Sequence, residues 1–190
     1  MQQRIWIEYG PLSKLLTAKF PGNPKSHAIT DLLVSMERFG FTSPVMQDET
    51  TGCILAGHGR LESLQQRKEA GQPPPDRIYE QDGEWMVPIL RGVGFPSDGG
   101  EARAYVLADN RLTELGNWDQ EALDAWLKQM ATEDIPLDGT GFTAAEVAKL
   151  LEEPSAPNPT APDAFPEFDE DIPTDHQCPK CGYQWSGKKK

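Results

Sequence analysis

Long apolar runs are missing from this chain. No stretch approaches the roughly 20 apolar residues of a membrane span, and 37% hydrophobic with 25% charged residues suits a globular protein carrying polar segments. A secretory signal is not expected either, because Met1-Gln2-Gln3-Arg4-Ile5-Trp6 lacks its charged-then-apolar layout. Cysteine is scarce, at three in 190 residues with two of them in one CxxC, which excludes a disulfide framework. Cytoplasm is the expected compartment. Positive charge is also short. Eighteen Lys and Arg face 30 Asp and Glu, a net charge of −12, which excludes coating DNA by bulk electrostatics. From Glu152 to Asp175 there are eight acids and no Lys or Arg, yet residues 1–151 still hold 22 acids against 14 bases. Removing the tail uncovers no basic domain, so any contact with nucleic acid must be local or made through a partner.

What is present reads as alternating strands and helices. Arg4 to Tyr9 is a short strand. Ile29, Leu32, Leu33 and Met36 share one helical face, and Gly40 can end that helix. Pro44–Gln47 and Cys53–Ala56 flank a turn and predict a hairpin; Asp82-Gly83 predicts a second. A helix is expected from near His58 to Gly71, and Val87 to Val93 is strand-like. The second half is helical, marked by Ala102, Tyr105, Val106, Leu112 and Leu115, then by Leu123, Trp126, Leu127 and Met130. Thr143 and Glu146 form a capping box, with Phe142 and Val147 as its staple. Trp6, Trp118 and Trp126 are expected in the core, Cys53 as a buried small hydrophobe, and His27 as a surface turn residue. Residues 153–175, rich in proline and acid, cannot bury enough apolar surface to offset their ordering entropy, and are expected to be a disordered linker.

Ile54-Leu55-Ala56-Gly57-His58-Gly59-Arg60-Leu61 runs from an apolar strand through two glycines into a helix. Free amides and a partial positive charge at a helix start suit an anion. Arg60 can fork onto phosphate oxygens, and a cation at a helix N-terminus is unfavourable unless an anion sits there. A tight turn with a solvated arginine is the alternative. His58 is open to two readings: a general base near a phosphate, or a turn residue with its ring in solvent.

This turn resembles the phosphate-binding turn of the ParB N-terminal domain and sulfiredoxin superfamily. It is most similar to the ParB-like "nuclease" domains of phages, prophages and methyltransferase-linked proteins. Pro21-Gly22-Asn23-Pro24-Lys25 looks like the family's first box, Gly57-His58-Gly59-Arg60 its central box, and Ala108-Asp109-Asn110-Arg111-Leu112 with Trp118-Asp119 its third. The Gly141-Phe142 pair fits the same branch. The resemblance implies a mixed α/β (α+β) domain over residues 1–152 with a helical C-terminal half, binding a nucleoside triphosphate (CTP or ATP) with magnesium. It puts Gly57, His58, Gly59 and Arg60 on the phosphates, with Asn23, Lys25 and Arg111 closing the site. Asp109 and Asn110 match the acid–amide pair that handles magnesium, an oxygen donor set suited to that hard cation; a solvated helix face is the alternative. Catalysis, if any, falls to Asp109 and His58.

The departures narrow the function. His58 stands where sulfiredoxin carries its reactive cysteine, which excludes sulfinic acid repair. Gly59 stands where partitioning ParB proteins have a second arginine, and the linker replaces their helix-turn-helix domain. The tail, residues 176–190, holds His176 and Cys178-Pro179-Lys180-Cys181, half of a zinc knuckle. A second chain's cysteine pair, which would imply a homodimer, is the best way to complete it; His27 or Cys53, or no completion at all, are the alternatives. The expected role is nucleotide binding, and hydrolysis if Asp109 and His58 catalyse it, in phage or prophage DNA metabolism. A metal-dependent DNase and an adaptor for a methyltransferase or terminase are the rivals.

Overall fold

The two turn signals organise the sheet. The structure, a computed structural model, describes residues 4–96, 100–152 and 175–187 and divides into two compact units, Met1–Ser155 and Ala156–Lys190. In the first, β1 (Trp6–Pro11), α1 (Leu12–Thr17), α2 (Ile29–Phe39), β2 (Val45–Asp48), β3 (Ile54–Ala56), α3 (His58–Glu69), β4 (Tyr79–Gln81) and β5 (Glu84–Val93) precede three helices. These are α4 (Gly100–Leu115), α5 (Gln120–Thr132) and α6 (Ala144–Glu152). The sheet runs β1-β5-β2-β3, with β4 also on β5; β5 is antiparallel to β1 and β4 and parallel to β2. This mixed sheet with helices is the α+β class the sequence predicts.

Both hairpins form. Asp82 and Gly83 take φ of 53° and 79°, the doubly left-handed pair of a tight two-residue turn. In the first hairpin the buried Asp48 carboxylate accepts from the Thr51 hydroxyl at 2.6 Å and from the amides of Thr50 and Thr51. It also takes the Phe95 amide, which ties the end of β5 to this turn.

One core layer joins α1 and α3 to the sheet through Leu12, Leu15, Leu61, Leu64, Val45, Ile54, Val87 and Ile89. Each such side chain contributes on the order of 1.5–3 kcal/mol on burial. A second layer packs Ala102 and Val106 of α4 on Leu55 of β3, with Phe20, Phe95 and Tyr105 around them. That contact carries α4 to the β3–α3 junction. A third cluster, Leu123, Leu127 and Val147, joins α5 to α6. The capping box is formed: Glu146 takes the Thr143 amide at 2.8 Å and gives its own amide to the Thr143 hydroxyl. Phe142 packs on the same cluster as Val147.

Three tryptophans depart from expectation. Trp118 and Trp126 are 67% and 70% exposed, and Trp6 is half exposed. On α5 the inward positions are Leu123 and Leu127, four apart, which leaves Trp126 about 100° around the helix from Leu127. Trp6 lies on an edge strand. Cys53 is half-buried and precedes β3 rather than lying within it.

In the second unit β6 (His176–Gln177) and β7 (Gln184–Trp185) form a two-stranded ladder around the CxxC turn. Residues 153–174 of the expected linker and Lys188 to Lys190 lie outside the described residues. Among those described, no helix is long and apolar enough to cross a membrane.

Candidate functional site

Strand β3 delivers the chain to Gly57, whose φ of +99° turns it into α3. A Cβ here would meet Val45 Cγ1 at 2.8 Å and the Arg60 guanidinium at about 3 Å, so the turn requires glycine and Arg60 folds back over it. No side chain caps this end of α3. The amides of its first turn therefore have no acceptor within the helix.

These groups face a cavity of about 450 Å³ lined by Asn23, His27, Gly57, His58, Gly59, Arg60, Asp109, Asn110 and Thr113. The central turn, Asn23 of the first box and the Asp109-Asn110 pair of the third, far apart in sequence, thus meet at one place. Arg60 is half-buried, and among the described residues its guanidinium makes no hydrogen bond or ion pair. Burial pulls its pKa below the usual arginine value, opposed by the charge of Asp109. A desolvated cation at the positive end of a helix, with no hydrogen-bonded partner and only the charge of Asp109 acting on it, is an arrangement that an anion would stabilise.

Across the cavity Asp109 stands beside Tyr105, whose phenol pKa is raised by burial first and then by the charge and hydrogen bond of Asp109. Asn110 donates its amide N–H to the Val106 carbonyl at 2.8 Å. That bond fixes the side chain while its own oxygen stays available. One carboxylate and one amide oxygen fit a magnesium ion that takes its remaining ligands from phosphate and water.

His58 is 5% exposed, so its ring is not in solvent. Its Nε2 accepts the Phe20 amide at 3.2 Å. Burial first, then repulsion from His27 and Lys19, holds its pKa below the ordinary histidine value. The neutral ring is thus a brace joining the residue-20 loop to α3, and the lone pair a general base would use is engaged. His27, expected on the surface, instead lies on Gly59, where a Cβ would come within 2.8 Å of its ring. Its Nδ1 is 3.3 Å from Glu62, which also holds Lys19 at 3.0 Å.

Lys25 and Arg111 are not on this cavity. Glu114 in the last turn of α4 takes both, Lys25 at 2.5 Å and Arg111 at 3.1 Å, and its carboxyl is held below the usual range by those bonds, Lys25 first. They line a neighbouring groove with Asn23 and Pro24. Sequence reasoning missed His27, Tyr105 and Thr113. The last two lie four residues either side of Asp109, a spacing that shares one helix face.

In the second unit Cys178 and Cys181 flank a tight turn. The amides of Lys180 and Cys181, then the Cys181 thiol, hydrogen-bond to its sulfur and lower its pKa. The His176 ring instead lies against Trp185, 5.6 Å between centroids. Among the described residues no third His, Cys, Asp or Glu completes a metal site.

No protein-family model matches the chain. A solved ParB-N domain described as Pnob8-like aligns with 16% identity and a TM-score of 0.36, covering 80% of this chain; this chain spans 62% of that one. The ParB-like nuclease domain-containing protein YnaK of Escherichia coli (strain K12) is 34% identical over 76 residues, 84% of its length and 38% of this chain. With most of that relative matched at this identity, the chain belongs to the family of ParB-like nuclease domain proteins.

Proposed function

We propose that the cavity at the start of α3 binds the phosphates of a nucleoside triphosphate (CTP or ATP) with magnesium, and that the chain serves phage or prophage DNA metabolism through this site. The observation that carries the reading is Arg60, desolvated and unpaired at a helix start. Gly57 and Gly59 leave the first-turn amides open to phosphate oxygens, and Asn23 faces them across the cavity. Magnesium, when bound, would neutralise phosphate charge; Asp109 and Asn110 would hold it.

Binding is better supported than cleavage. His58 lacks a free lone pair, and Asp109 is the one carboxylate among the residues lining the cavity. Metal-dependent cutting of DNA is the second reading, and it rests on the relative's name. The net charge of −12 favours regulation of a DNA-modifying enzyme such as a methyltransferase or terminase over direct contact with DNA. For the knuckle, the reading is zinc shared by the cysteine pairs of two chains, since zinc takes four ligands.

The test is a thermal-shift panel of CTP, ATP, GTP and UTP with and without magnesium. A ligand at a hundredfold its Kd adds roughly 2.7 kcal/mol, a rise of about 5–10 °C for a domain of this size. No shift with any nucleotide, together with magnesium- or manganese-dependent cutting of DNA, would favour the DNase.

A further inference from the structure

We infer that β1 is a docking edge for a second copy of this chain, joined strand to strand across a two-fold axis. The strand lies at the end of the sheet. It pairs with β5 on one side, and among the described residues nothing pairs with the other. Proteins guard such edges with charge, proline or a bulge, because an open row of N–H and C=O groups invites another strand. This edge has little guard. Pro11 stands only at its far end, and its one acid, Glu8, is held by Arg91 of the same sheet at 3.2 Å. Ile5 and Ile7 are 63% and 58% exposed, and Trp6 is 49% exposed. Tyr9 continues the Ile5–Ile7 face and meets exposed Tyr79 at 5.1 Å.

The pattern Arg4-Ile5-Trp6-Ile7-Glu8 identifies the occupant, because it is complementary to itself when run antiparallel. With the axis at Trp6, residues directly opposite share a face. Trp6 then meets the second copy's Trp6, Ile5 meets Ile7, and Arg4 meets Glu8. No like charges face each other. Glu8, already beside Arg91, would gain a second cation from the other chain. An unrelated strand would have to reproduce this order of charge, aliphatic and aromatic groups; a second copy does so by symmetry. The two sheets would join into one, and both exposed isoleucines would be covered without help from the nucleotide cavity.

The test is the mass of the full chain by light scattering from 1 to 100 µM. A dimer of twice the 21.1 kDa chain is expected. Ile7→Lys and Arg4→Glu, both at exposed positions, should each weaken dimerisation at least tenfold while circular dichroism stays unchanged. Oxidation of Trp6→Cys should give a 6-to-6 cross-link identifiable by peptide mass. A wild type that stays monomeric at 100 µM overturns the inference. So does a dimer undisturbed by both substitutions, or one that Cys178→Ser dissolves instead.

Discussion

Replacing Arg60 with alanine separates binding from folding, because the guanidinium has opposite effects on the two. In the free protein it makes no hydrogen bond to the described residues and lies at the positive end of α3. Removing a cation from a helix N-terminus relieves roughly 0.3–1 kcal/mol of dipole repulsion and the desolvation of the charge, which together offset the lost attraction to Asp109. Arg60→Ala should therefore unfold at the same temperature as the wild type or slightly above it. With nucleotide present the sign reverses. Charge-assisted hydrogen bonds contribute about 1.5–3 kcal/mol each, so losing even one weakens affinity by roughly ten- to two-hundredfold. Calorimetric titration and thermal melts of both proteins read the two effects independently. A folded Arg60→Ala protein with unchanged nucleotide affinity would refute the phosphate assignment. A mutant that melts several degrees lower without ligand would mean that the guanidinium supports the fold.

Asp109→Ala should abolish the increment in nucleotide affinity that magnesium supplies, while magnesium-free affinity stays equal or rises, since a carboxylate facing phosphate is removed; titrations with and without EDTA check this. His58 carries a pH signature. Its folded pKa lies below the ordinary 6.5, so an unfolded chain binds a proton in a range where the folded one does not. Stability should be complete above about pH 6.5 and fall as pH drops towards the depressed folded value, by at most about 1.4 kcal/mol per pH unit. Denaturant midpoints across pH 5–7.5 should show this slope, and His58→Gln should flatten it. Cys181→Ser should remove bound zinc, measured as metal content per chain under reducing conditions, and leave nucleotide affinity unchanged.

Local signals were the legible ones. Asp82-Gly83 announces its turn because both residues tolerate positive φ, and the capping box can be read from Thr143 and Glu146 because the whole motif lies within one turn. Gly57 and Arg60 are legible for the same reason: strand, glycine turn and helix follow in order. Side-chain destinations set by distant partners were not. Lys25 looks like a phosphate ligand until Glu114, 89 residues on, draws it away. His27 looks like a surface residue until the missing Cβ of Gly59 gives its ring a seat. Trp126 differs from the buried Leu127 by one position, and periodicity over a single short helix does not fix its phase that finely. The bracing of His58 by the Phe20 amide is likewise a tertiary event with no trace in sequence.

The most direct measurement is isothermal titration of the full-length chain with CTP and with ATP, each with magnesium. The account predicts saturable binding of at least one of them at one site per chain, lost in Arg60→Ala and weakened by removing magnesium. Absence of saturable binding by any nucleoside triphosphate up to millimolar concentration, in a protein shown to be folded, would contradict it.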